Sequence, residues 1–307
     1  EMCIRDRSAS NKTYDTNRTA TLTGTPTAAG VLSGDTVTVS GSATAGTFAS
    51  ANVATGIAVT ADLSGLTLSN SNYTISGVTS ALSANITAAP VTVTIVKDYN
   101  GSTAVSNGQI TVTGVAGQTL GLTGTATLTN PNVGSAALST LNGASLSDGT
   151  GLASNYTLTN PNSSVTINPV AISITASNAE KVYDRSTGVT GATTAPAATL
   201  YSGTLYTNSV TGYTDALSGG TFAYTTADAG TGNKVLTVSG VSILNDSTSA
   251  ASNYTITYVN NTTSTITAAP VTISGLSASN KTYDTTTTAV LTGTPTAAGV
   301  LSGDTVT

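Results

Sequence analysis

Histidine and tryptophan are absent from this chain, and cysteine and methionine occur once each, as Cys3 and Met2. Without histidine, no side chain exchanges a proton near neutral pH at its ordinary pKa, which removes the commonest general base. One cysteine gives neither a disulfide framework nor a Cys/His zinc cluster. Glutamate occurs only as Glu1 and Glu180, so a catalytic carboxylate pair would have to be built from aspartates. No glycine-rich phosphate loop leads into a helical pattern. The inventory therefore points away from an enzyme, and no cofactor is expected. Charge is equally scarce: charged residues make up 7% of the chain, against roughly 25% in ordinary domains. The net charge of −5 comes with no basic cluster, which argues against nucleic acid and against electrostatic attachment to an anionic membrane. No apolar run is long enough to span a bilayer, and no signal-peptide pattern is visible.

What fills the chain instead is Thr, Ser, Ala, Gly, Val and Asn. Thr and Val are β-branched and favour strands, while Gly and Asn supply turns. Short stretches alternate with period two, among them Val91–Val96, Val170–Ile174, Ile110–Val112, Leu120–Leu128, Val235–Val238 and Tyr254–Tyr258. Strands of this length between Gly/Asn/Ser/Asp turns predict an all-β chain of small antiparallel β-sandwich domains. An immunoglobulin-like strand order and a β-grasp-like one both fit.

The chain repeats itself. Ser8–Thr16 returns unchanged as Ser277–Thr285, and Leu22–Thr38 returns at the same offset as Leu291–Thr307. Two diverged copies lie between. A Lys-x-Tyr-Asp/Asn motif carries Tyr14 and Asp15, Tyr99 and Asn100, Tyr183 and Asp184, and Tyr283 and Asp284. A Ser-Asn-Tyr-Thr motif carries Asn72 and Tyr73, Asn155 and Tyr156, and Asn253 and Tyr254. Between them stand Asn52-Val53-Ala54-Thr55-Gly56 and its weaker counterparts at Asn132 and Asp228, and each unit closes on Ile86, Ile167 or Ile266 followed closely by a proline. The period is that of a whole small domain, longer than the roughly twenty to fifty residues of a solenoid coil. The division that follows is repeat 1 at 8–90, repeat 2 at 91–169, repeat 3 at 170–270 with an insertion at about 195–225, and the start of a fourth repeat at 271–307. Residues 1–7 resemble nothing after them and hold the only Met and Cys. They read as a non-native scar, which leaves repeat 1 without its first strand and implies a parent chain that continues in both directions. Pro90, with Ala88 and Ala89 before it, leaves no flexible linker between repeats 1 and 2. Such joints predict an elongated rod.

These ordered motifs resemble the YDG-type repeat domain of large filamentous-haemagglutinin-like bacterial adhesins. The copies carry Thr16, Arg185 and Thr285 where the family has its Gly, and only Gly101 keeps it. The resemblance implies secretion, display on the bacterial cell surface and a part in adhesion or biofilm.

Each candidate site has a structural reading beside the functional one. Lys and Tyr two apart on a strand share a face, with Asp on the other, which would suit a binding site. Alternatively the Tyr ring is buried with its hydroxyl hydrogen-bonded and the Asp opens a turn. The same choice holds for Tyr73, Tyr156 and Tyr254. Repeat 3 is longer and adds Tyr201, Tyr206, Tyr213 and Tyr224, either a contact surface for a glycan or protein or a longer hairpin with paired tyrosines. Calcium is the one candidate metal, with ligands such as Asp98 or Asp184 at a domain joint, although no Asp-x-Asp-x-Asp-Gly loop exists. The expected function is a non-catalytic stalk whose partners are the neighbouring repeats of the same chain. The alternative is that the repeats themselves grip a host or matrix glycan or protein.

Overall fold

The computed structural model describes residues 2–307, apart from the side chain of residue 160. The chain is all-β, arranged in several sheets, and among the described residues the only helical pieces are three-residue 3₁₀ turns. It divides into two compact units, Glu1–Lys97 with Thr103–Ile167, and Asp98–Ser102 with Asn168–Thr307.

In the first unit, repeat 1 places the strand Met2–Arg5 between Ile75–Val78, to which it is parallel, and Thr27–Ala29, to which it is antiparallel. A second sheet runs in the order Ser8–Ala9, Thr19–Thr23, Ala45–Phe48, Ala54–Ala61, Leu82–Thr87, Lys12–Thr13. Its last pair is again parallel. Repeat 2 builds its sheet on Ala89–Asp98, which lies between Ile110–Thr113 and Tyr156–Asn168. In Ala89–Asp98 the alternation is clean. Ala89, Val91, Val93, Ile95 and Lys97 are buried, and the residues between them face outward or are half-covered. Only Ala88 separates this strand from Leu82–Thr87, so the joint between repeats 1 and 2 is a single residue.

The second unit repeats the plan. Val170–Ala176 is antiparallel to Ala198–Ser202 and parallel to Tyr254–Val259. Glu180–Val182 runs parallel to Asn261–Thr267, which pairs antiparallel with Gly230–Ser239, itself paired with Thr221–Tyr224. The start of repeat 4 forms two short pairs, Thr272–Ser274 with Thr296–Ala298 and Ser277–Ala278 with Leu291–Thr292.

Two expectations are corrected here. The sheets are mixed rather than antiparallel throughout, because the first strand of a repeat pairs in parallel with a late one in repeats 1 and 3. The closing strand also runs parallel to a segment of the opening stretch, Leu82–Thr87 with Lys12–Thr13 and Asn261–Thr267 with Glu180–Val182, so the chain leaves a repeat at the end opposite to where it came in. Repeat 1 also has a strand in the first position. Met2 and Ile4 are fully buried and pack with Ala43 and Leu66, since Met-Cys-Ile-Arg alternates well enough to fill a strand whatever its origin. Glu1 lies outside the described residues. We expect Ile4→Ala to cost about 2 kcal/mol or more, read as a lower midpoint for unfolding of repeat 1. An unchanged midpoint would mean the segment is a passive appendage.

Candidate functional site

The lysine of each Lys-x-Tyr-Asp motif locks the turn that follows it. Lys12 Nζ reaches Asp15 at 2.6 Å and donates to the carbonyls of Asn17 and Thr19 at 2.8 and 3.2 Å. Lys181 does the same with Asp184 at 2.6 Å and the carbonyls of Ser186 and Gly188 at 2.7 and 2.9 Å. Lys281 meets Asp284 at 2.7 Å and the Thr286 carbonyl at 2.9 Å, and Lys97 donates to the Ala104 carbonyl at 3.1 Å. The acid or amide also opens a tight turn by accepting the backbone N–H two residues on, from Asn17, Ser102, Ser186 and Thr286. Strand alternation would send Asp away from Lys; the turn begins directly after Tyr and brings it back. Lys181 is almost fully buried beneath this loop. Its hydrogen bond, with the Ser186 N–H, holds the Asp184 carboxyl down at about 2. Burial alone would raise Asp15, but Lys12 and the Asn17 N–H outweigh it and its pKa is lowered.

The motif tyrosine then projects into the next repeat. Tyr14 meets Tyr156 of repeat 2 edge to face, with centroids 5.3 Å apart, and Tyr99 meets Tyr254 of repeat 3 in the same way at 5.4 Å. Each pair shares one acceptor. Tyr14 and Tyr156 both donate to Gln118 Oε1, at 3.2 and 2.5 Å. Tyr99 and Tyr254 both donate to Asp215 Oδ2, at 2.8 and 2.7 Å. The receiving tyrosine is fixed by a backbone donor, Val115 N–H at 3.1 Å to Tyr156 and Tyr206 N–H at 3.0 Å to Tyr254. The residue giving that N–H accepts from the N–H of the acceptor residue through its own carbonyl, as Gln118 to Val115 at 3.1 Å and Asp215 to Tyr206 at 2.9 Å. The result is a closed socket for two hydroxyls. Tyr73 builds the same socket with Leu32 N–H at 3.2 Å, Asp35 Oδ2 at 2.5 Å, and Asp35 N–H to Leu32 O at 3.1 Å. The turn recurs at Leu301 and Asp304, where Tyr183 donates to Asp304 Oδ1 at 3.4 Å. A cavity of about 300 Å³ lies beside them. Tyr283 is 88% exposed and reaches no socket.

Asn155, just ahead of Tyr156, ties repeat 2 to repeat 1 as well. Its Oδ1 accepts from Val53 N–H at 2.9 Å, and its Nδ2 donates to Asn52 Oδ1 at 3.0 Å. This gives the Asn-Val motif and the Asn-Tyr-Thr motif one shared task. Asn253 is buried like Asn155, whereas Asn72 is exposed. Desolvation, followed by the neighbouring Asp215 carboxylate, pushes Tyr99 far up, and Tyr254 is raised by burial with Asp215 adding to it. Tyr156 is raised chiefly by burial, and Tyr73 chiefly by its hydrogen bond to Asp35.

The added tyrosines of repeat 3 do not form one surface. Tyr201 and Tyr213 are exposed, whereas Tyr224 is buried, donating to the carbonyls of Ala179 and Thr265. Its ring covers Lys181 at 5.7 Å as Phe48 covers Lys12 at 5.6 Å. Tyr224 N–H bonds Thr187 O as Phe48 bonds Arg18 and Leu128 bonds Thr103, so Tyr224 occupies a position common to the repeats. Tyr206 is half-buried against Tyr99 at 5.9 Å. The insertion itself is a small loop between Tyr206 and Asp215, pinned by the Thr207–Thr214 bridge. It carries Asp215 to its buried place and lies on the turn of Tyr99, where Ser209 N–H bonds the Gly101 carbonyl at 2.7 Å. Asn245 satisfies the second carboxylate oxygen at 2.8 Å. For the calcium candidates, Asp184 faces Lys181 and Asp98 accepts from Asn168 Nδ2 at 3.1 Å. No group of three potential ligands occurs among the described residues.

A family model described as the YDG domain matches residues 1–81, 83–164 and 168–264. The chain belongs to the YDG domain family. No curated protein matches it. The position of the YDG glycine has a backbone reason. Gly101 has φ +72°, and its substitutes Thr16, Arg185 and Thr285 take φ of +72°, +69° and +64°, a left-handed conformation that a side chain strains. At Gly101 a Cβ would also lie 2.1 Å from the Thr207 carbonyl oxygen, so the glycine is retained where the insertion presses on the turn. Thr16→Gly is therefore expected to stabilise repeat 1 by about 1 kcal/mol, seen as a raised unfolding midpoint; a fall would show that the left-handed turn carries no strain.

The two filled sockets also differ in what losing a hydroxyl leaves behind. Tyr99→Phe takes one of three side-chain donors from a buried carboxylate and should cost about 2–3 kcal/mol, while Tyr14→Phe takes one from a neutral amide and should cost about 1 kcal/mol. Denaturant unfolding of the two variants tests the order, and equal losses would mean that the charge on Asp215 does not matter.

Proposed function

We propose that these repeats are a non-catalytic spacer of a secreted bacterial surface adhesin, holding a more distal adhesive region away from the cell. The observation that carries this reading is the sharing of one acceptor by two tyrosines from successive repeats. The chain uses its most contact-prone side chains to fasten repeat to repeat, the role expected of a spacer. The near-absence of slack at Ala88 supports the same reading. Family membership supports repeat architecture, and placement outside the bacterial cell rests on the resemblance to haemagglutinin-like adhesins. The alternative, glycan or protein binding by the repeats themselves, draws on exposed Tyr201 and Tyr213 alone of the four added tyrosines.

Small-angle scattering of the whole chain tests the spacer. A compact globule of this length has a radius of gyration of about 19 Å. The spacer requires a value well above that, and a value close to it would sink the reading.

A further inference from the structure

The sockets differ in charge, and so do the turns that enter them. Gln118, a neutral acceptor, receives the turn Tyr14-Asp15-Thr16, which brings a carboxylate with no cation beyond its own Lys12. Asp215 receives Tyr99-Asn100-Gly101, which brings no carboxylate. Asp304 receives Tyr183-Asp184-Arg185, which brings a carboxylate together with Arg185, whose Nε lies 3.4 Å from Asp304 Oδ1. In these three pairs an acidic turn meets an acidic acceptor only when an arginine stands at the third position. Carboxylates brought into one junction repel, and an arginine there, as Arg185 beside Asp304, offsets that repulsion.

We propose that this matching is a charge code deciding which repeat can follow which, and that the open socket of repeat 1, formed by Leu32, Asp35 and Tyr73, is built to receive a Tyr-Asp-Arg turn of the repeat-3 kind. The partner of this surface is thus another repeat domain, with its tyrosine hydroxyl on Asp35 Oδ2 and its arginine beside the same carboxylate. The occupant follows from a sequence identity. Leu22–Thr38 and Leu291–Thr307 are the same seventeen residues. In the second copy the Leu301–Asp304 turn holds Tyr183 and Arg185, and in the first the Leu32–Asp35 turn has the same closing hydrogen bond, 3.1 Å against 3.0 Å. The exposed Tyr283 turn does not fit this code. It copies the Tyr14 turn residue for residue from Ser277 to Thr285 and would bring Asp284 to Asp35 with Thr285 in place of arginine. The proposal rests on the reading that tyrosines fasten successive repeats, and its test is independent of how extended the chain is.

The code is tested first in the whole chain by a double-mutant cycle at the repeat-1/repeat-2 junction. Gln118→Glu keeps the side-chain length and adds a charge. It should lower the unfolding midpoint by a few degrees, and Thr16→Arg should restore most of that loss, with a coupling that shrinks in high salt. Strictly additive effects would overturn the code. The assigned occupant is tested in a duplicated chain, residues 1–276 followed by 8–307, which places a complete repeat 1 behind repeat 3. There Arg185→Thr in the first copy should destabilise the junction, and the loss should vanish when Asp35 of the second copy is Asn; an undiminished loss would refute the assignment. Sedimentation equilibrium of the unaltered chain completes the test. A single species supports a repeat-3 partner, and self-association abolished by Tyr283→Ala would give the socket to a second copy and overturn the assignment. A compact scattering envelope alongside intact coupling would remove the spacer and leave the code standing.

Discussion

Two tyrosine hydroxyls converging on one side-chain oxygen form the contact on which the association of successive repeats depends. A shared acceptor works only if both rings arrive together, because a carboxylate such as Asp215 that is almost fully buried cannot be left short of donors without a penalty of a few kcal/mol. The edge-to-face contact between the rings adds about 0.5–1.5 kcal/mol at the Tyr14–Tyr156 and Tyr99–Tyr254 junctions. The socket is therefore conditional. Its halves belong to different repeats, and each half is better satisfied when the other is present. Stability in such a chain lies in the interfaces as well as in the small cores, as in other repeat proteins.

The lysine turn is what aims the incoming tyrosine. Four hydrogen-bonding tasks fall on Lys181: the Asp184 carboxylate, the Ser186 hydroxyl and two carbonyls. The left-handed residue at Arg185 lets the chain reverse within that span. Tyr224 or Phe48 closes the turn from the core side by covering the ammonium. The strain at Thr16 and Arg185 is tolerated because the lysine over-determines the loop.

Much of this was legible in the amino-acid order, and what was not has physical reasons. Period-two alternation located Ala89–Asp98 and Val170–Ala176, because a strand with one buried face must alternate. The Tyr-Asp motif was legible as a turn opener, and the motif tyrosines as buried rings at Tyr14, Tyr99, Tyr156 and Tyr254. Their meeting across repeats was not, since nothing in one copy of a motif says which other copy it touches. Gln118, Asp35 and Asp304 were missed because the acceptor changes identity from repeat to repeat; its signal was positional, three residues after the residue whose N–H holds the tyrosine in repeats 1 and 2. The insertion hid the same position at Asp215. Tyr224 shares its residue type with the added tyrosines but its position with Phe48 and Leu128, and residue type alone does not reveal position. Parallel pairing of first and late strands leaves no trace in composition.

The locked lysines carry a consequence for how the protein meets its surroundings. Of only nine lysines and arginines in 307 residues, Lys97 and Lys181 are buried and Lys12 is largely covered by its own loop. A trypsin-like protease must draw such a side chain into its specificity pocket, and to do so here it would first have to unravel the turn that fastens one repeat to the next. The folded chain thus hides three of its nine basic cleavage points inside the elements that hold it together, and cutting at these must wait for an interface to open.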